Sequence, residues 1–531
     1  MPSIFCAIDV GTRAARAGFF TGNGEMLSRA AEPIALHMPE SGRAEHDSQE
    51  IWTAVCRAVA AARKAAGVAP EDVGAIAFDA TCSLVLISDT GKRPALSPSD
   101  GGAVWDTISW MDHRAEREAR VCTATGHRVL DYAGGVMSPE MQVPKLMWVK
   151  RNRPEIWASM SAAMDLTDYL AWRACGSGER SRCTLTGKWT FLDHDNGWQH
   201  DFFDRVGLED IVEHGALPAA AVAPGTCLGT LSARAAADLG LTRGCKVAAG
   251  LIDAFAGSLG VIGPNAESEG ERHLALIAGT STCVMGISLS ECRVPGAWGP
   301  YRGAILPGRW AIEAGQSATG ALLDYLIRSF SEGLEPTDTT HDRIVARIER
   351  LQLEDGEDLA RDLHILPDLH GKRSPHADPT ARGVFSGMTL DRSFDGLCRV
   401  YWRAAVSLGL GLRQVVDHFN DHGFRIDTLH LTGGHARNSL LRRIYADATG
   451  CTIRVNESGD AVLLGSAMVA RAAFTGGADN LADTARDMAQ PYREITPRAE
   501  RRAAMDRDYR IFQRLAEHRR ELTALSEQTQ P

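Results

Sequence analysis

Two short runs, about 270 residues apart, constrain this chain more than any other feature. They are Ile8-Asp9-Val10-Gly11-Thr12 and Ile277-Ala278-Gly279-Thr280. In each, an apolar stretch ends in Gly-Thr, and a further glycine, Gly18 or Gly286, stands seven residues on. A short apolar run closed by glycine reads as a buried strand entering a tight turn. Its recurrence at such a distance reads as an internal duplication, with two related α/β domains facing one cleft. The 531 residues suffice for two large domains. Hydrophobic residues at 44% and charged residues at 23% exclude a disordered or fibrous chain. Glycine is in excess, 52 residues or about 10% against a usual level near 7%, so backbone close to something is to be expected.

The intervening sequence fits that frame. Asp47 and Glu50 have the spacing of a capping box and start a helix predicted over 48–66. Strands are predicted over 73–78, 84–87, 246–250 and 428–432. Further helices are predicted over 112–125, 167–173, 317–330, 394–419, 438–449, 460–474 and 497–525. A charged stretch, 335–362, reads as exposed. The polar, turn-rich run at 263–270 reads as a linker. It divides the chain into an N-terminal domain over 1–264 and a C-terminal domain over 271–475, followed by a helical tail over 476–531.

The net charge of −10 argues against nucleic acid or an anionic membrane as the main partner. No run reaches the about 18 apolar residues that cross a bilayer. The best candidate, 274–289, is broken by Gly279, Thr280, Ser281 and Thr282. Asp9 falls where a secretion signal would have its apolar core. The 12 cysteines include no C-x-x-C pair and read as reduced thiols, so a cytoplasmic protein is expected.

Four segments carry chemistry, each with a plainer alternative. At Asp9-Val10-Gly11-Thr12, glycine admits a phosphate close to the backbone and the carboxylate can hold hydrated Mg²⁺; a hairpin turn with a threonine side-chain bond also fits. Gly279-Thr280-Ser281 offers hydroxyls to a terminal phosphate, or simply a tight turn. Gly433 and Gly434, at a strand-to-helix junction, let a base or ribose lie against the backbone, and Asn438 can cap the helix. This run is not a GxGxxG, which disfavours a dinucleotide. Between Gly250 and Gly257, Asp253 stands among apolar and small residues; it can cap a helix, act as a general base, or do both.

These segments, together with Glu313-Ala314-Gly315-Gln316-Ser317, occur in an order and spacing that resembles the FGGY carbohydrate kinases of the actin-like ATPase superfamily. The likeness covers about residues 4–475. Asp79-Ala80-Thr81-Cys82-Ser83-Leu84-Val85 and Trp110-Met111-Asp112-His113-Arg114-Ala115 resemble the pentulose kinase branch, and the Thr-Cys-Ser-Leu-Val run its D-ribulokinase group. The resemblance implies an α/β fold of two ribonuclease-H-like domains flanking a central cleft, the first for sugar and catalysis and the second for nucleotide. It implies ATP and Mg²⁺, a sugar substrate and a homodimer. Asp253 matches the catalytic base and Asp9 the Mg²⁺-organising carboxylate. Gly11, Thr12 and Arg13 match the first phosphate loop, Gly279, Thr280 and Ser281 the second. Gly433, Gly434 and Asn438 fall in the adenosine motif. Thr81, Cys82, Asp112, Lys188, Asp253 and Glu313 fall on the sugar side.

Plainer roles stand beside these: a surface cation for Lys188, an ion-pair partner near the hinge for Glu313, a helix N-cap for Asp112, a packed thiol for Cys82. The expected reaction is phosphorylation of a ketopentose, D-ribulose to D-ribulose 5-phosphate. L-ribulose, D-xylulose and pentitols such as ribitol are the alternatives within kinases. An actin- or Hsp70-like ATPase and a weakly catalytic sugar-binding regulator are the alternatives outside them.

Overall fold

A computed structural model describes residues 3–528 apart from 91, 99–100, 332, 379 and 457–458. The chain opens with an antiparallel hairpin, β1 (Ile4–Val10) and β2 (Ala14–Thr21), widened by β3 (Met26–Pro33). Helix α1 (Ser48–Ala66) crosses back, and β4 (Val73–Ala80) pairs parallel with β1. Every residue of β4 is buried, as a parallel strand covered on both faces must be. β5 (Cys227–Thr230) and β6 (Lys246–Ala248) extend the sheet to the order β3-β2-β1-β4-β6-β5, and the short strand Leu251–Ile252 also pairs parallel with β4. Between β4 and β5 lies an insertion. It holds a small antiparallel sheet that pairs Leu84–Ser88 with Met160–Asp165, and a helical layer whose core includes Leu146, Trp189 and Phe202.

The second half repeats the plan. β7 (His273–Ala278) and β8 (Thr282–Ser288) form the hairpin, followed by β9 (Trp298–Arg302) and β10 (Trp310–Gln316). Helix α3 (Phe394–Asn420) crosses back to β11 (Thr428–Thr432), which pairs parallel with β7. Helix α4 (Ser439–Thr449), β12 (Thr452–Asn456) and β13 (Tyr492–Ile495) follow, giving the order β9-β10-β8-β7-β11-β12-β13. Without β9, this is the order of the first sheet, with an antiparallel strand at the far edge of both.

What joins the halves is an exchange of helices. α2 (Asp253–Ile262) follows β6 but lies against β7 and β8; α5 (Ala461–Thr475) follows β12 but lies against β1 and β4. Both helices are buried on nearly all sides, which their almost wholly apolar sequences permit. They cross on glycines. A Cβ at Gly260 would fall 2.1 Å from the Ala461 carbonyl oxygen, and one at Gly465 would fall 1.9 Å from that of Ala256. The resulting core takes Phe5 and Ala77 from one sheet, Ala275 and Met285 from the other, and Leu463 from α5.

Three expectations are modified. The run 476–531, read as a helical tail, supplies edge strand β13 to the second sheet and helix α6 (Arg502–Gln528), which packs on α3 and α4; residues 529–531 lie outside the described residues. Arg403 on α3 and Asp508 on α6 form a buried ion pair of 2.7 Å that fixes this packing. The charged run at 335–362 contains a helix, Asp338–Asp355, that buries Ile344, Val345, Ile348 and Leu351 along one side. At α1, Asp47 accepts from the N–H groups of Gln49 (2.8 Å) and Glu50 (3.2 Å), but Glu50 accepts from Ala35 N–H (3.0 Å) instead of returning to the cap.

Candidate active site

The two Gly-Thr turns end the two central strands. Gly11 closes the β1–β2 turn, its N–H donating to the Ala14 carbonyl at 3.0 Å. The Thr12 hydroxyl accepts from the Trp110 indole N–H at 2.9 Å, and Arg13 is exposed beside it. Across the interface, the carbonyls of Gly279 and Thr280 accept from the N–H groups of Gly320 and Thr319, each at 3.0 Å. That fixes the turn while Thr280 stays exposed and Ser281 partly so. Gly433 has φ +83°, and a Cβ there would lie 2.4 Å from the Ala278 carbonyl oxygen, so only glycine lets β11 run this close to β7. Gly434 opens the 3₁₀ turn that follows. Asn438 caps α4, accepting from Leu440 N–H (3.0 Å) and Leu441 N–H (3.1 Å).

Carboxylates gather where α2 and α5 begin. Asp9 on β1 stands opposite Asp79 on β4 and opposite Arg16 on β2, with which it forms an ion pair. Asp79 accepts from the Ser466 hydroxyl of α5 at 2.5 Å. Asp253 is the first residue of α2 and accepts from Ala254 N–H at 2.7 Å. It stands just inside the helix, where the positive end of the dipole favours a negative charge. Burial nevertheless raises its pKa, with Glu313 adding to the rise and Ala254 N–H and Arg16 opposing it. Burial likewise pushes Asp9 up to about 7 against the pull of Arg16. Beyond the Arg16 pair and the neighbouring Asp79 carboxyl, the Asp9 oxygens meet no donor among the described residues. A buried carboxylate at a strand end with acceptor capacity to spare suits a hydrated cation. Among the described residues no three side chains converge as direct metal ligands, so such an ion would be held through its waters.

The expected sugar-side residues divide. Lys188, from the helix Arg182–Lys188 of the insertion, meets Glu313 of β10 across the interface at 3.1 Å. Both are buried, and the ammonium lies 4.2 Å from the centre of the Trp298 ring. Burial works most strongly against the lysine's charge, but Glu313, helped by Cys82, Tyr301 and Glu140, outweighs it and holds the pKa above the ordinary value. The ion-pair role open for Glu313 is thus occupied, and its partner is Lys188, which is no surface cation. Thr81 and Cys82 follow β4 directly; the Thr81 N–H donates to the Val10 carbonyl at 3.0 Å. Burial pushes the Cys82 thiol up to about 12, which removes it as a thiolate nucleophile. Asp112 does not join them. Its oxygens accept from Ala44 N–H (2.6 Å) and pair with the buried Arg114 guanidinium (2.7 Å), and the next helix starts only at Glu116, so it is not an N-cap.

The structure adds residues that sequence reasoning missed. Glu140 of the first domain pairs with Arg373 of the second at 3.5 Å, and the Arg373 guanidinium lies 5.7 Å from the Trp298 ring centre. Burial opposes ionisation of Glu140, but Arg373 and His113 pull its carboxyl down to about 2. Glu140 and Arg373 are 233 residues apart, so no local pattern links them. The one available signal was the Gly371-Lys372-Arg373-Ser374-Pro375 run, whose turn residues mark a loop that presents a cation.

Two sheets of one plan, each with a Gly-Thr turn at the end of its first strand, and helices exchanged between them define a two-domain fold of the actin-like ATPase type. Comparison with known proteins agrees. Residues 4–260 match the N-terminal domain of the FGGY family of carbohydrate kinases, and residues 274–474 match its C-terminal domain. An FGGY carbohydrate kinase domain-containing protein of Danio rerio is 38% identical over 98% of this chain and 99% of its own length. A D-ribulokinase of Saccharomyces cerevisiae is 36% identical over 88% of this chain and 72% of its own. In structure, a xylulose kinase from Rhodospirillum rubrum matches with a TM-score of 0.79 at 22% identity, covering 98% of this chain and 99% of the other. The chain belongs to the FGGY family of carbohydrate kinases. It is therefore an ATP-dependent sugar phosphotransferase. Among the described residues no helix is long and apolar enough to cross a membrane.

Proposed function

We propose that this enzyme phosphorylates the terminal hydroxyl of a ketopentose, with D-ribulose as substrate and D-ribulose 5-phosphate as product. The observation that carries the reading is the buried Lys188–Glu313 pair, both members of which lie close enough to Asp253 to shift its ionisation. Its neutral sum suits an uncharged polyol, since each member offers hydrogen bonds to hydroxyl groups and neither leaves a net charge unmatched. The 36% identity to the yeast D-ribulokinase supports the choice of sugar.

In this reading Asp253 accepts the proton of the attacking hydroxyl. Its burial raises its basicity above that of a free carboxylate, and the helix N-terminus keeps it ionised enough to act. Gly11, Thr12 and Arg13 receive the phosphates from one side, and Gly279, Thr280 and Ser281 from the other. Trp110 holds the Thr12 hydroxyl in place. Gly433 and Gly434 flank the adenosine, while Asn438 fixes α4 beside it. Asp9 organises the hydrated Mg²⁺, which supplies neutralisation of phosphate charge when bound. Thr81 and Cys82 border the sugar through their backbone, with Lys188 and Glu313 on its hydroxyls. Asp112 contributes at one remove, by fixing Arg114. Closure of the two domains excludes water, without which the phosphoryl group would be lost to hydrolysis. All twelve cysteines are free, which suits a reducing cytoplasm, and a homodimer is proposed on family resemblance alone.

The test is ADP release with Mg-ATP across D-ribulose, L-ribulose, D-xylulose, ribitol and common hexoses. D-ribulose should give the highest kcat/KM. A higher value for another sugar overturns the choice of substrate, and no stimulation by any sugar overturns the site assignment.

A further inference from the structure

Tyr301 carries a hydroxyl for which the protein supplies no partner. The residue is 4% exposed, and no described residue hydrogen-bonds its oxygen. Buried polar groups are nearly always paired, so an unpaired one calls for a partner from outside the chain.

The pairing of β9 with β10 says where this hydroxyl sits. Trp298 stands opposite Glu313, and Tyr301 stands opposite Ala311. Residues directly opposite share a face of a sheet, and so do positions two apart on one strand. On a regular strand, positions 298 and 301 would point to opposite faces. The bulge between them, at Gly299-Pro300, brings both onto the face of Glu313. Gly299 has φ +101°, and a Cβ there would lie 2.7 Å from the Ala311 carbonyl oxygen, so the bulge depends on glycine. This is the face on which Lys188 meets Glu313 and approaches the Trp298 ring. The Tyr301 ring also lies 6.2 Å, centre to centre, from Phe255, two residues along α2 from Asp253. The Tyr301 side chain therefore lies on the face of the Lys188–Glu313 pair, and its hydroxyl is close enough to feel the charges of both. Burial raises the phenol's pKa, so it stays neutral and can both donate and accept.

We propose that Tyr301 is a specificity-determining residue of the sugar site, whose hydroxyl completes its hydrogen bonding with a hydroxyl of the bound sugar beside Lys188 and Glu313. The proposal rests on the sugar-kinase reading but fails separately. If the wild-type enzyme phosphorylates no sugar, that reading falls; if it does and Tyr301 has no effect, only this proposal falls.

Tyr301→Phe removes one oxygen and leaves the ring in place. The sugar KM should rise about tenfold, the size of one lost hydrogen bond, while the KM for ATP and the melting temperature stay as they were. A site built to bond a hydroxyl discriminates against an analogue that lacks it. Among singly deoxygenated forms of the best sugar, one should therefore lose about tenfold in KM with the wild-type enzyme. That same sugar should be indifferent to Tyr301→Phe. An unchanged sugar KM in the variant, or a deoxy series in which every member binds the wild-type enzyme as well as the parent, overturns the proposal. The deoxy series needs only the wild-type protein, so it can overturn the proposal even if the variant folds poorly, while support requires the matched loss in Tyr301→Phe.

Discussion

Lys188 and Glu313 come from different domains and meet with less than a tenth of either side chain exposed. Removing one member of such a pair leaves the other charge buried and unmatched. That costs about 3–5 kcal/mol, whereas replacing both by uncharged groups of similar size is close to neutral. Lys188→Met alone and Glu313→Gln alone should therefore each destabilise the protein by roughly 3 kcal/mol, and the double variant by no more than about 1 kcal/mol. The coupling, about 5 kcal/mol, lies far above the 0–1 kcal/mol of an exposed pair. The ammonium's approach to the Trp298 ring makes Glu313→Gln the milder single change, because the ring still attracts the stranded cation. The assay is urea unfolding of all four proteins, with sugar-dependent ADP release measured in parallel. Stability should return in the double variant and turnover should not, because no protein lacking either group can hold the sugar's hydroxyls. Additive losses would refute the pairing. A double variant with wild-type turnover would refute the sugar-binding role even if the pairing stood.

Other outcomes follow from the same geometry. Asp253→Ala should lower kcat by orders of magnitude with little change in ATP affinity, read by steady-state kinetics and nucleotide binding; near-wild-type turnover removes it as the base. Arg373→Met should raise ATP hydrolysis without sugar relative to sugar phosphorylation, and Arg373→Lys should restore much of the coupling, since the Glu140 pair closes the interface beside Trp298. Asp9 titrates near 7 in the fold and near 3.8 unfolded, so the native state binds more protons between those values, and this group's contribution falls as pH rises from about 4 to about 7. Without Mg²⁺, Asp9→Asn should therefore gain stability relative to wild type across that window, measured by unfolding at each pH; a constant difference contradicts the burial argument. Gly465→Ala places a Cβ that must displace the Ala256 carbonyl and should lower the melting temperature clearly, whereas Gly178→Ala, where a Cβ meets no atom within 4 Å and φ is not positive, should leave it nearly unchanged.

The elements that the sequence declares are those whose causes are local. Asp47 and the apolar spacing after it place α1 at Ser48–Ala66, and the glycines after 10, 278 and 432 mark strand ends. The duplication is legible because both copies need the same Gly-Thr turn. The exchange of α2 and α5 is not, because an apolar helix reads the same whichever sheet it covers. The helix Asp338–Asp355 is hidden by the charges around its four buried residues. In the site, Asp9, Asp253, Lys188 and Glu313 stand in recognisable segments, but the pairing of the last two depends on domains meeting across 125 residues of chain. Glu140, Arg373 and Tyr301 sit in irregular or bulged segments, and their chemistry comes from what they face.

The central claim is that the two Gly-Thr turns, Asp253 and the Lys188–Glu313 pair together deliver a phosphoryl group to a ketopentose rather than to water. Phosphorus NMR of the products from Mg-ATP and D-ribulose tests it most directly. The account predicts a phosphate monoester on the terminal carbon of the sugar, formed one for one with ADP, and formed orders of magnitude more slowly by Asp253→Ala. Inorganic phosphate with no sugar ester, at any D-ribulose concentration, would contradict it.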